Sequence, residues 1–313
     1  MMKRIVLWGG VILVFLLLAI YAAGSAYFAN ILIAKETQTL AESQSRMAEI
    51  LADSPLPVPE DVIIDAGDVM LSGWFYDNPQ DGACAVLLLH GYTGTRVGTL
   101  QYAPLFWDKG CDLLAYDARG HGNSSEALHT YGYYEKEDGV AAAEWLMTRT
   151  GLEQENIGLA GVSYGASTVL QMLPQLPDVA FVLADSPYQD LETIVEYQGV
   201  SQFGDWVTAF LPGGFAIAEL RADFEKEAVS PKNAVANTNT PIFLIHAKED
   251  SFTPVTHSEA IYANGNQETI EFHVTDWGAS HAQSIIVEPD AYKLMVDEFL
   301  SVYAPDFGMN NGR

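Results

Sequence analysis

The chain has 313 residues, 49% of them apolar, enough for one large α/β domain with additions. Its 15 basic and 41 acidic residues leave a net charge of −26. No basic cluster relieves that excess, so nucleic acid is excluded as a partner and strongly anionic substrates are disfavoured.

Lys3 and Arg4 precede an uncharged, mostly apolar run from Ile5 to Ala34. About 20 apolar helical residues span a bilayer core, so the run is long enough to cross one. Gly24-Ser25-Ala26 offers the small residues of a signal-peptide cleavage site, which would release the rest of the chain as a secreted protein. The apolar run continues past that site through Tyr27 to Ile33, which favours an uncleaved anchor that takes membrane lipid as its partner. The N-terminal cations hold that end inside and put the remainder on the extracytoplasmic face.

Lys35 to Ala52 is polar, with Leu40, Met47, Ile50 and Leu51 at roughly helical spacing, and predicts a stalk helix. Pro55, Pro57 and Pro59 make the following stretch an extended linker. The expected division is residues 1–34 as anchor, 35–60 as stalk and linker, and 61–313 as the globular domain.

Val62 to Ile64 and Leu71 to Tyr76 flank Asp65-Ala-Gly-Asp68 and predict a hairpin. Ala83 to Leu89 and Cys111 to Tyr116 are continuous apolar runs, as central parallel strands are. Leu100 to Lys109 and Glu137 to Thr150 predict helices. Asn156 to Ala160 and Val179 to Ala184 predict strands on either side of a helix from Ala166 to Gln175. This alternation predicts a mostly parallel, doubly wound sheet covered on both faces. Pro187 to Thr240 breaks the rhythm with many aromatics and is expected to be a helical insertion over the sheet, interrupted at Leu211-Pro-Gly-Gly214. The rhythm then resumes with strands at Pro241 to Ile245 and Thr269 to Val274. Helices follow at Thr256 to Ala263 and Glu288 to Tyr303, and the last ten residues are expected to be loose. The two cysteines, Cys84 and Cys111, fall at matching places in two strands; buried free thiols are expected, because neighbouring parallel strands rarely offer disulfide geometry.

Chemistry enters at Gly161-Val162-Ser163-Tyr164-Gly165, between a strand and a helix. There the serine is forced onto a strained turn, with its hydroxyl above the sheet and helix N–H groups beside it. A serine needs an adjacent base, and histidine titrates near working pH. His281, in a loop between the last strand and the last helix, is the candidate base among seven histidines. Asp250, in the loop after strand Pro241 to Ile245, is the candidate to orient it, with Asp185 the alternative acid. The N–H groups of Tyr164 and of Tyr92, in His90-Gly-Tyr-Thr-Gly94, are the candidate oxyanion donors. No metal or cofactor is needed for this chemistry, and two cysteines with no H-E-x-x-H motif build no zinc site.

Together these motifs, with Asp117-Ala-Arg-Gly-His-Gly-Asn-Ser124, resemble the α/β-hydrolase superfamily over about Asp61 to Tyr303. They look most like its serine aminopeptidase-like and prolyl-oligopeptidase-like branch. The resemblance implies the α/β-hydrolase fold with a helical cap at about 187–240, a triad of Ser163, Asp250 and His281, an oxyanion hole at Tyr92 and Tyr164, and a structural role for His121. It leaves the bond open. The expected activity is hydrolysis of a small-molecule or acyl carboxylic ester through an acyl-enzyme. A peptidase or amidase is the alternative, and a cap carboxylate such as Glu192, Glu196 or Glu219 receiving a free amino terminus would favour it. A non-catalytic binding protein on the same fold is the alternative from another class.

Overall fold

The computed structural model describes residues 2–52, 54–80 and 82–308. Helix α1 (Met2–Ile33) leads into α2 (Leu40–Met47), whose first turn carries a capping box between Thr39 and Glu42. Strands β1 (Glu60–Asp65) and β2 (Met70–Tyr76) form the expected hairpin. Then come β3 (Ala85–Leu89), α3 (Pro104–Trp107), β4 (Asp112–Tyr116), α4 (Glu135–Thr150), β5 (Ile157–Val162), α5 (Tyr164–Met172) and β6 (Phe181–Asp185). The insertion holds α6 (Leu191–Phe203), α7 (Leu211–Ala222) and α8 (Pro231–Ala234). The chain continues with β7 (Ile242–Ala247), α9 (Thr256–Asn264), β8 (Ile270–Thr275), α10 (Ser284–Val287) and α11 (Pro289–Tyr303).

Among the described residues the strands form one eight-stranded sheet in the order β1-β2-β4-β3-β5-β6-β7-β8. From β4 to β8 every pairing is parallel, and β2 joins β4 antiparallel. The central strands β3, β5, β6 and β7 are buried along their whole length, which explains their unbroken apolar sequence. α4, α5 and α9 pack one face around Leu146, Val169 and Ile261. α3 and α11 pack the other around Phe106, Tyr292 and Phe299. All the parallel strands therefore end on one edge, and the loops leaving that edge build the site.

Four expectations are corrected. Cys84 and Cys111 are disulfide-bonded, with Cα atoms 4.7 Å apart. Each lies one residue before its strand, where the register sets Ala85 against Asp112, so the two face each other outside the alternation that constrains residues within strands. The helix expected at Leu100 to Lys109 is split into a 3-10 turn, Arg96–Tyr102, and α3, because Pro104 lacks an N–H and suits only a first helical turn. For the same reason Leu211-Pro-Gly-Gly214 does not interrupt the insertion; it is the first turn of α7. The tail is not loose as far as Gly308, since Phe307 packs edge-on against Phe181 at 4.9 Å. Residues 309–313 lie outside the described residues.

The insertion is not closed on itself. Its core of Tyr188, Leu191, Ile194, Phe215, Ala218 and Phe224 also contains Ala29, Leu32 and Ile33 of α1. The crossing of α1 over α7 is close: a Cβ on Gly213 would stand 2.3 Å from Ser25 Oγ, and one on Gly24 would stand 2.5 Å from the Phe210 ring. Residues that composition assigns to a membrane anchor are thus part of the cap.

Candidate active site

Ser163 lies between the end of β5 and the first residue of α5 with φ 55° and ψ −114°. A non-glycine residue at positive φ is strained and is held only by its surroundings. Here the Ser163 N–H donates to the Asp185 carbonyl at 2.7 Å, tying the turn to β6. Side chains on either flank would break the turn, because a Cβ on Gly161 would meet Gly165 at 2.4 Å and one on Gly165 would meet the Leu89 carbonyl at 2.2 Å.

His281 comes from the loop after β8, and its Nε2 lies 2.8 Å from Ser163 Oγ. Its Nδ1 lies 2.6 Å from Asp250 Oδ2. With Nδ1–H donating to the carboxylate, Nε2 is left to accept the serine proton. Asp250 is buried in the loop after β7, and its Oδ1 accepts the N–H groups of Phe252 and Thr253 at 2.9 and 2.8 Å. Burial pushes its carboxyl up, but hydrogen bonds from His246 and His281, with help from the Thr253 N–H, overcome this and hold it well below the usual carboxylate range. It therefore stays ionised throughout the neutral range. His246, at the end of β7, has its Nε2 3.2 Å from Asp250 Oδ2 and 2.6 Å from the Thr253 carbonyl, while its Nδ1 accepts from the Ser258 hydroxyl at 2.7 Å. It fixes the loop that presents Asp250. The alternative acid, Asp185, is turned away: its Oδ2 accepts from the Tyr102 and Tyr292 hydroxyls at 2.9 and 3.1 Å.

The loop after β3 runs beside the serine, and a Cβ on Gly91 would lie only 3.7 Å from Ser163 Cβ. Among the described residues, neither the Tyr92 nor the Tyr164 N–H donates to a protein acceptor. For Tyr164 the cause is its place at the start of α5. Two buried imidazoles hold this loop. His90 Nε2 accepts the Ala118 N–H at 3.0 Å, and His121 Nε2 accepts the Thr93 N–H at 3.2 Å. Burial lowers the pKa of both, keeping them neutral and able to accept. Asp117 accepts the N–H groups of Arg96 and Asn123 at 2.8 and 2.9 Å. The Asp117–Ser124 segment is thus a brace, away from the reacting atoms.

Ser163 opens into a cavity of about 300 Å³. Tyr92, Tyr131, Tyr164 and Tyr188 line it near the serine, and Phe203, Val207, Leu211 and Phe215 line it in the cap. One wall is α1, through Phe28, Ile31 and Leu32. Among the described residues Lys35 is the only charged side chain in the lining. Glu192, Glu196 and Glu219 do not reach it; Glu192 pairs with Lys226 at 3.4 Å, and Glu219 accepts the Lys226 N–H at 3.0 Å. Sequence reasoning missed His246 as a partner of Asp250, and missed the α1 wall. Phe28, Ile31, Leu32 and Lys35 do recur at the spacing of one helical face, but inside an apolar run that spacing carries no contrast.

Residues 98–284, more than half of the chain and including Ser163, Asp250 and His281, match the model of the prolyl oligopeptidase family. The chain belongs to that family. It is a serine hydrolase of the α/β-hydrolase type. It is 30% identical over 224 residues to the uncharacterized protein YqkD of Bacillus subtilis (strain 168), covering 71% of this chain and 72% of that one. In structure it is similar to the Pyrococcus furiosus esterase Pf2001, with a TM-score of 0.65 and 28% identity over 81% of this chain and 95% of that one. It is also similar to the Pyrococcus horikoshii acylaminoacyl peptidase, with a TM-score of 0.62 and 19% identity over 85% of this chain, but spans only 45% of that peptidase. At that identity the second likeness speaks for the fold alone.

Proposed function

We propose that this chain is a membrane-anchored esterase. Ser163 Oγ attacks the acyl carbonyl while His281 Nε2 takes its proton, and Asp250 holds the imidazole in the right tautomer and stabilises the imidazolium. The Tyr92 and Tyr164 N–H groups receive the oxyanion. His281 then protonates the leaving alcohol, and water attacks the acyl-enzyme by the same relay. The unbroken hydrogen-bond chain from Asp250 through His281 to Ser163, beside two unengaged N–H groups, supports these roles.

The observation that carries the ester reading is the chemistry of the cavity wall. A site that takes peptides by a free amino terminus needs a carboxylate to pair with the ammonium, and among the described residues none lines this cavity. The likeness to the esterase Pf2001 points the same way. A peptidase or amidase is the second reading, favoured by the family match. The 18-residue stretch Val6–Ala23 is exposed on every side, which supports an anchor in a bilayer. The disulfide supports an oxidising, extracytoplasmic location for the domain.

The test is to treat the full chain in detergent with a fluorophosphonate and assay it on nitrophenyl esters and aminoacyl anilides, alongside Ser163→Ala. Labelling and ester turnover that vanish together in the variant are expected. Anilide turnover above ester turnover would replace the ester reading by the peptidase one. A folded wild type that reacts with nothing would leave a binding protein.

A further inference from the structure

The two halves of α1 have opposite surroundings although both are apolar. Val6–Ala23 is exposed at every position, and near its end only the Tyr21 ring meets the cap. At about 1.5 Å per residue those 18 residues extend about 27 Å, close to the hydrocarbon thickness of a bilayer. From Gly24 onward the helix enters the cap, where Ser25, Ala29, Leu32 and Ile33 are buried. The bilayer surface must therefore lie near Gly24, against the start of α7. The residues at that level are aromatic: Tyr21 stacks on Phe210 at 5.7 Å, and the Phe28 ring is met by Phe203 at 5.2 Å, Trp206 at 6.0 Å and Phe210 at 6.1 Å. Trp206 and Tyr27 are each 57% exposed, an arrangement suited to a membrane interface.

The cavity begins where this aromatic collar ends. Phe28 belongs to both, and it lies about 7 Å along the helix from Ala23. From Phe28 the wall runs through Ile31 and Leu32 to Tyr92 and Ser163. The helix end is also bonded to the loop beside the serine. The Leu32 carbonyl accepts the Tyr92 and Tyr131 hydroxyls at 3.0 and 3.1 Å, and the Ile33 carbonyl accepts the His129 N–H at 2.9 Å. A detachable anchor would have no need of these bonds.

We infer that the substrate is a long-chain acyl ester drawn from the bilayer that α1 enters, and that Phe28, Ile31 and Leu32 form one wall of its acyl site. This rests on the ester reading above. The chain passes along α1, below the collar, into a cavity with a single charge at its rim, and its ester group meets Ser163. The helix is then a specificity element as well as an anchor, and cleavage after Ala26 would separate the exposed half of α1 from the half that lines the site.

The experiment uses the full chain in phosphatidylcholine nanodiscs and a fluorophosphonate bearing a palmitoyl-length alkyl chain with a terminal diazirine. Ser163 Oγ forms the bond to phosphorus, fluoride leaves with the bonding pair, and His281 takes the serine proton. Irradiation then joins the chain end to whatever lines the acyl site, and peptide mapping identifies it. Cross-links within residues 24–33 and 199–215 are expected. Labelled Ser163 with cross-links only elsewhere, such as around Phe252, would overturn the inference and leave the esterase standing. Failure of Ser163 to react with this probe and with a short-chain fluorophosphonate would overturn both. As a second measurement, Ile31→Trp should lower the ratio of long- to short-chain ester turnover about tenfold, a loss of about 1.4 kcal/mol of selective binding. An unchanged ratio in a folded variant would also overturn the inference.

Discussion

One side of the cavity is made of backbone turns and the other of packed helices. Ser163, Asp250 and His281 stand in loops at the ends of β5, β7 and β8, and each is held by hydrogen bonds of fixed direction. Phe28, Ile31 and Leu211 stand on helices, Val207 stands on a 3-10 turn, and all four offer the cavity only apolar surface. Directional contacts have one correct geometry, whereas apolar packing tolerates exchange among side chains of similar volume. The first side should therefore control the rate for every substrate, and the second should control which substrate is accepted.

The sharpest separation comes from Ser163→Ala. On the triad side, kcat should fall on the order of 10⁶-fold for short and long esters alike, with no change in thermal unfolding. Asp250→Asn should cost on the order of 10⁴-fold, with kcat and kcat/KM falling together, because the imidazole loses the partner that sets its tautomer. Substrate affinity lost while kcat is kept would contradict that role.

Replacing both cysteines by alanine tests neither side directly. It removes a cross-link closing a loop of 27 residues and should lower stability by about 3–4 kcal/mol, measured by chemical denaturation, with kcat unchanged. Gly213→Val acts on the wall alone. Its Cβ would collide with Ser25 Oγ, pushing α1 from α7 at a cost of about 1–3 kcal/mol. It should depress long-chain turnover more than short-chain turnover, and equal losses would mean that the two sides are not separable.

The smallest effect is a pH dependence. Burial lowers the pKa of His257 to about 4 from the ordinary 6.5, and its Nδ1 accepts the Gln189 N–H at 3.2 Å. Between these values the unfolded chain binds the proton and the folded one does not. The contribution is fully present above pH 6.5 and is lost as the pH falls toward 4. Melting temperatures across that window should fall less steeply in His257→Gln than in the wild type.

The legibility of the site follows the same division. Gly161 and Gly165 announce a tight turn around Ser163 because a Cβ at either place would clash, and the unbroken apolar runs of β3, β5 and β7 announce buried parallel strands. Asp250 and His281 were legible from their places after strands, since parallel topology carries both loops to the serine's edge. Cys84 and Cys111 were misjudged because the side-chain geometry of neighbouring parallel strands was applied to residues just outside the strands. Leu211–Gly214 was misjudged because a proline that cannot sit inside a helix is well suited to its first turn.

By itself the sequence determined the elements, their order and the chemical groups available, since these depend on local backbone preference and on the spacing of apolar residues. Only the tertiary structure decided that α1 belongs to two environments. The run Ile5 to Ala34 reads the same throughout; what divides it at Gly24 is the presence of Phe210 and Gly213, nearly two hundred residues away in the chain. Apolar contact has no local signature, so the partner that buries a residue is settled only when the fold brings the two together.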